Sequence, residues 1–278
     1  MQHSQGPITG FLKKVLFRSA IKHPRLQRLW SRLHTLSVFA MNYGGGAFIE
    51  TSGEVWVLSQ LVRPACGEAA VVFDVGANVG DYSLLVHSLI PSARIYAFEP
   101  AAPVYEQLTR RLSSVGKGAF ETFNFGFSDE ENTVDLYSYT VEGEAASVIS
   151  SIDKRLPTQV LQVEVNDTER INVRTIDAFC ASHGINHIDF LKLDVEGHEL
   201  AVLRGAEGML ERAAISMIQF EFGPANIYSR TYFYDFWSML SGKYDLFRII
   251  PGGLAPITYY GEHLEIFLTT NYFARRKC

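Results

Sequence analysis

Three short stretches concentrate the side chains able to do chemistry. Asp74-Val-Gly76-Ala-Asn78-Val-Gly80-Asp81 sets carboxylates around turn glycines. Phe98-Glu99-Pro100 holds a lone acid between an apolar run and a proline. Asp194-Val-Glu196-Gly-His198-Glu199 packs three acids and an imidazole into six residues. Carboxylates and imidazole can take up or release a proton near neutral pH, and glycines let a ligand approach the backbone. Asp194, Glu196 and His198 are therefore the candidate bases, and His198 has the most suitable unperturbed pKa. The plain alternative for His198 is a helix N-terminal histidine facing water.

Each stretch must sit at the end of a strand to be useful. Val71 to Phe73 reads as a buried parallel strand, followed by the Gly76–Gly80 turn and an apolar helix from Tyr82 to Leu89. Strand, glycine turn and helix form the place where Rossmann-type folds bind a nucleotide-like cofactor. A nicotinamide fingerprint needs G-x-G-x-x-G so that the backbone can meet a pyrophosphate. Here Asn78 replaces the middle glycine, and Asp74 and Asp81 would repel phosphate, which disfavours an NAD-dependent oxidoreductase. S-adenosylmethionine carries an ammonium and a sulfonium and no phosphate, so the same carboxylates attract it. Glu99 lies about 20 residues beyond the turn, where an acid accepts both ribose hydroxyls. Its plain alternative is a solvated charge at a helix N-terminus.

These three motifs, in order over roughly residues 70–222, resemble the FkbM family of S-adenosylmethionine-dependent methyltransferases. The resemblance implies a Rossmann-like seven-stranded sheet, mostly parallel, with an antiparallel last strand and helices on both faces. It implies methyl transfer to a hydroxyl, commonly on a sugar of a glycan or glycolipid, or on a natural product. Asp74, Gly76, Asn78 and Gly80 would hold the cofactor's amino-acid end, and Glu99 its ribose. Asn124 and Asp129, around the third strand's end, would contact adenine. Asp194 would face the methionine end and the reacting hydroxyl. The protein's share of such a displacement is alignment and removal of the hydroxyl proton. Asp194, Glu196 and Glu221 also end neighbouring strands, and offer oxygen ligands to a Mg or Ca ion that would acidify a sugar hydroxyl. Against that, Glu221 simply closes its strand. A non-catalytic cofactor-binding scaffold is the competing function, disfavoured by the joint presence of Asp194, Glu196 and His198.

Strands are predicted at 71–75, 94–98, 120–125, 188–194, 215–221, 244–250 and 264–269. Helices are predicted at 80–90, 102–114, 175–183, 198–210 and 231–241. This alternation implies a mostly parallel sheet. Period-two alternation at 133–139 and 160–165 predicts an antiparallel insertion. Residues 140–156 and 223–236 would cover the acceptor, the latter with Tyr228, Tyr232 and Tyr234 suited to a carbohydrate or small molecule.

Residues 1–46 read as a basic helical extension and 47–278 as the methyltransferase domain. Residues 1–42 hold seven Lys or Arg and no Asp or Glu, against a net charge of −5 for the chain. The acidic body argues against a nucleic-acid partner. Two helices meeting at Pro24 are expected, with Leu26, Leu29, Trp30 and Leu33 on one face. The favoured expectation is a cap on the main domain; the competing one is peripheral contact with an anionic membrane surface. No window has the apolar length of a membrane span, and no signal-peptide core is evident. Cys66, Cys180 and Cys278 form no metal spacing. A cytoplasmic setting follows as the expectation, at most peripheral at the inner membrane surface.

Overall fold

A computed structural model describes residues 23–46, 49–61, 69–115, 118–141, 147–154, 165 and 167–277. The chain divides into two compact units, residues 1–43 and 44–278. The described part of the first is a helix, Pro24–Ala40, with Pro24 in its first turn where a missing N–H costs nothing. Leu29, Leu33 and Leu36 of this helix are exposed. The helix expected before Pro24 lies outside the described residues. No described helix is long and apolar enough to cross a membrane.

In the second unit twelve strands are described: β1 Val71–Val75, β2 Arg94–Phe98, β3 Phe120–Phe123, β4 Gly126–Phe127, β5 Asn132–Val141 and β6 Ser147–Ser151, then β7 Asp167–Arg174, β8 Ile188–Leu193, β9 Ile215–Phe222, β10 Tyr244–Ile250, β11 Gly253–Ile257 and β12 Thr270–Arg276. The main sheet runs β11-β10-β12-β9-β8-β1-β2-β3. Strands β3, β2, β1, β8 and β9 are parallel neighbours. Strand β12 is antiparallel to both β9 and β10. The Rossmann-like reading with an antiparallel last strand therefore holds. The strand number is eight among the described residues, because β11 adds an antiparallel hairpin strand at the edge.

Alternation along the strands explains why helices cover both faces. Val72, Ile95, Phe190 and Met217 lie on one face, against Val57 and Leu58 of helix Glu54–Leu61 and Val86 of helix Asp81–Leu89. Phe73, Tyr96 and Phe98 point the other way. There the Phe179 ring of helix Ile176–His183 lies 5.1 Å from Phe98 and 5.0 Å from Phe123, edge to face. Phe127 joins the same cluster, so these rings fix the ends of β2, β3 and β4 together.

Four expectations fail locally. The strand expected at 264–269 is a short 3₁₀ turn at Glu262–Leu264 and irregular chain, and the last strand begins at Thr270. Glu265 is drawn away from strand pairing because its carboxylate accepts the Phe233 and Tyr234 amides at the start of helix Phe233–Leu240. The helix expected at 198–210 breaks into Glu199–Arg204 and Glu207–Glu211. Asp177 accepts the Gly208 and Met209 amides and starts the second piece separately. The strand expected at 120–125 ends at Phe123, and Gly126–Phe127 pairs with β7 in the second sheet. The insertion is confirmed at β5, but its described partners are β6 and β7 rather than 160–165, most of which lies outside the described residues.

Phe179 is fully buried at the centre of this ring cluster. Phe179→Ala is expected to cost about 3–5 kcal/mol in urea unfolding. A loss below about 1 kcal/mol would show that the cluster does not hold the strand ends.

Candidate functional site

A cavity of about 700 Å³ opens beyond the C-terminal ends of β1, β2 and β8. The Gly76–Gly80 turn forms one wall. Gly76, Asn78 and Gly80 all have positive φ, at +78°, +48° and +90°. A Cβ on Gly76 would lie 1.8 Å from the Asp194 carbonyl oxygen, so only glycine lets β1 and β8 close at this point. Asparagine tolerates the left-handed conformation required at 78. The Asn78 amide donates to Glu99 Oε2 at 2.9 Å, and the Ala101 amide donates to Oε1 at 3.0 Å. Burial raises the Glu99 pKa to about 7 against the pull of these two amides.

Of the sequence-derived candidates, Gly76, Asn78, Glu99, Asp194, Glu196 and His198 line the cavity. Asp74 stands behind it, fully buried. Its Oδ2 accepts the Ser83 hydroxyl at 2.7 Å, and its Oδ1 lies 3.4 Å from Lys192 Nζ. Gly80 shapes the turn without reaching the cavity: a Cβ there would meet Leu108 at 2.8 Å. Asn124 donates to the carbonyls of Glu99 and Pro100 and so fixes the β2 exit. Gly126 and Phe127, not Asn124 or Asp129, line the cavity near the third strand. Glu221 lies on β9 outside the lining; burial, then Asp194, Glu196 and Glu199, push its carboxyl well above the usual range. No group of three His, Cys, Asp or Glu side chains among the described residues is arranged to hold a metal, so Asp194, Glu196 and Glu221 are not brought together as ligands.

Sequence reasoning overlooked Lys192 and Glu54, both cavity-lining and both buried. Lys192 Nζ lies 3.2 Å from Asp194 Oδ2 and 4.9 Å from the Tyr82 ring centroid. Burial opposes its charge, but Asp194, Asp74 and Glu54 outweigh burial and hold the ammonium protonated. A lysine inside an apolar strand, Phe-Leu-Lys-Leu-Asp, was the available signal.

The third motif forms a tight loop. Glu196 has φ +53° and Gly197 φ +93°. Glu199 Oε1 accepts the Val195 and Gly197 amides at 3.0 and 3.2 Å and pins that loop. Ser151 of β6 donates to the Glu196 carbonyl at 3.2 Å. His198 Nε2 lies 2.9 Å from Ser128 Oγ, whose hydroxyl donates to Asp129 Oδ1 at 3.0 Å. With the Ser128 proton committed to Asp129, Nε2–H donates to Ser128, and Nδ1 is left as the basic nitrogen. Burial lowers the His198 pKa, against the attraction of Asp129, so the ring is neutral at pH 7. A second cavity of about 430 Å³ shares Ile152, Glu196 and His198 with the first and adds Tyr137, Lys154 and Ser229. Tyr232 and Tyr234, expected to cover an acceptor, are exposed and line neither cavity.

Glu99, Glu196 and Glu199 are all weaker acids in the fold than the ordinary 4.5, principally through burial, with values of about 7, 8 and 7. The folded state holds their protons where the unfolded chain has released them. Their contribution to stability is complete below about pH 4.5 and is lost as pH rises through about 7–8. His198 works in the opposite sense, as one group against five, since burial raises Glu54 and Glu221 as well. The melting temperature of the ligand-free protein is therefore expected to fall from pH 5 to pH 8. Glu199→Gln, which keeps an acceptor for the loop amides, is expected to flatten that fall; a wild-type profile that rises instead would contradict this account.

Comparison with known proteins places the chain in a family. A family profile described as the methyltransferase FkbM domain matches residues 74–248. The AMB antimetabolite synthetase AmbE of Pseudomonas aeruginosa is 32% identical over 179 residues, covering 54% of this chain and 8% of that protein. The 2-O-methyltransferase NoeI of Sinorhizobium fredii is 24% identical, covering 51% of this chain and 59% of its own. The hexuronic acid methyltransferase AglP of Haloferax volcanii is also 24% identical, covering 62% and 64%. The match thus spans less than two thirds of each relative. With the three motifs in order at the strand ends and a profile covering more than half its length, this chain belongs to the FkbM methyltransferase family.

Proposed function

We propose that this chain uses S-adenosylmethionine to methylate a hydroxyl of a sugar-containing or other small-molecule acceptor. The observation that carries this reading is the charge of the cavity wall. Glu54, Glu99 and Asp194 line it with Lys192, and Lys192 is already bound to Asp74 and Asp194. Such a wall repels pyrophosphate and suits a cationic cofactor. Gly76 and Asn78 bring the turn itself into the same wall. The names of NoeI and AglP, a 2-O-methyltransferase and a hexuronic acid methyltransferase, support a sugar-like acceptor.

When bound, S-adenosylmethionine supplies an electrophilic methyl group and a thioether leaving group. Each Glu99 oxygen holds one backbone amide and keeps a free lone pair, so the carboxylate would hold the ribose hydroxyls. Val104, Phe127, Leu136 and Ile171 supply an apolar wall for the adenine. The second cavity would take the acceptor, because Glu196 and His198 stand where it meets the first. His198 Nδ1 would accept the acceptor's hydroxyl proton, and the resulting imidazolium would be stabilised through Ser128 by Asp129. Glu196, held up to about pKa 8 by burial and by Asp194 and Glu199, would keep its proton and serve as a hydrogen-bond donor.

Calorimetry is expected to show binding of S-adenosylmethionine and S-adenosylhomocysteine and none of NAD; binding of NAD alone would overturn the reading. Glu99→Ala is expected to weaken cofactor binding by roughly 10- to 100-fold. His198→Ala is expected to lower kcat by about 10²- to 10⁴-fold while cofactor affinity stays near wild type. Unchanged turnover would remove His198 from the proton path.

We also infer that the helix Pro24–Ala40 contacts anionic lipid. Its exposed Leu29, Leu33 and Leu36 form one stripe, edged by Arg25 and Arg32. The protein is expected to co-sediment with phosphatidylserine-containing vesicles and to lose this on deletion of residues 1–42. Equal pelleting of the two forms would end the lipid reading.

A further inference from the structure

Glu54 lies outside the matched family segment, which begins at residue 74. It is 4% exposed, yet it lines the same cavity as Gly76 and Asp194. The local sequence Ser52-Gly53-Glu54 builds it in. Gly53 has φ +92°, and a Cβ there would lie 2.4 Å from the Ile250 carbonyl oxygen. Only glycine lets this turn press onto the end of β10 and aim the following residue inward. Ser52 Oγ donates to Glu54 Oε2 at 2.7 Å, and the Gln219 amide donates to Oε1. Tyr82 in turn donates to Gln219 Oε1 at 3.1 Å, which fixes the orientation of that amide.

The charges around this position do not balance. Asp74 and Asp194 both pair with Lys192. Glu54 has no ion-pair partner among the described residues and feels Lys192 only at longer range. Three carboxylates thus share one ammonium. A buried carboxylate held by two neutral donors keeps two lone pairs for a ligand, and its burial is compensated best by a cation. Burial raises the Glu54 pKa more than the attraction of Lys192, already paired to the two aspartates, lowers it. The cofactor proposed above carries an ammonium at one end, and phosphate-bearing alternatives carry none there.

We propose that Glu54 is a further cofactor-binding residue, which receives the α-ammonium of the amino-acid end of S-adenosylmethionine. This rests on the S-adenosylmethionine reading of the cavity and extends it to a residue from the segment preceding the family domain. Ser52 and Gln219 are positioning residues that hold the carboxylate toward the ligand. Asp74 acts one layer behind, through Lys192, rather than on the ammonium itself.

Two ligands separate this role from a structural one. S-adenosylhomocysteine carries the ammonium, whereas 5′-methylthioadenosine keeps the adenosine thioether and lacks the amino-acid part. Calorimetric titration of the full chain is expected to show that Glu54→Gln weakens S-adenosylhomocysteine about tenfold or more, with 5′-methylthioadenosine changed less than about twofold. Glu54→Asp is expected to recover part of the loss. Equal weakening of both ligands would mean that Glu54 only supports the fold of the cavity, and would overturn the proposal. An unchanged S-adenosylhomocysteine affinity in Glu54→Gln would overturn it too, while leaving the cofactor reading intact. Failure of the wild-type chain to bind S-adenosylhomocysteine would overturn the cofactor reading itself.

Discussion

The buried ammonium of Lys192 is the tie on which the site depends. It joins Asp74 at the end of β1 to Asp194 just past β8, and it rests over the Tyr82 ring. Tyr82 passes the connection to Gln219 on β9, and Gln219 passes it to Glu54. Two parallel strands, their neighbour and two helices are therefore held through one charge. A buried ammonium is tolerated here because two aspartates pair with it and Glu54 adds its attraction. The geometry is enforced from the backbone as well, because Gly76 sits against the Asp194 carbonyl with no room for a side chain.

Around this tie the polar groups divide between holding and reaching. Glu199 spends one oxygen on the loop amides of Val195 and Gly197, which keeps Glu196 in a left-handed conformation. Holding a non-glycine residue there costs on the order of 1–3 kcal/mol, and the surrounding bonds must over-determine it. The result is that Glu196 and His198 stand at the meeting point of two cavities. The antiparallel sheet contributes at the same point through Ser151, and the Ser128–Asp129 pair holds the imidazole. The insertion between β4 and β7 is thus part of the site as well as its cover.

Much of the site was legible in the chain. Glycines at 76 and 80, Glu99 after a buried strand and the Asp194–Glu199 cluster sit at strand ends because hydrophobic runs stop there, and a run's end is visible in one dimension. The parallel orientation of β3, β2, β1, β8 and β9 follows from alternation of strands and helices, while their order is a fact of the fold. Less legible were elements set by distant partners. Glu265 looked like part of a strand, but the amides of Phe233 and Tyr234 compete for it. β7 has only Ile171 and Val173 as buried apolar residues, too few for its period to stand out.

The sequence by itself determined which chemical groups stand at the strand ends and which family they mark, because those depend on local pattern and order. Tertiary structure alone decided which of those groups face the cavity. Asp74 and His198 show the difference. Asp74 reads as a ligand-facing acid, yet strand pairing turns it onto Lys192 and Ser83, behind the wall. His198 reads equally well as a solvated helix start, yet the fold brings Ser128 to it from 70 residues away and leaves it a half-buried, oriented ring. Glu54 is the limiting case: nothing beside it in the chain signals a ligand, and only the packing of its turn on β10 carries it into the cavity. The direction a side chain takes is set by strand register and by close packing, and both arise between residues far apart in sequence.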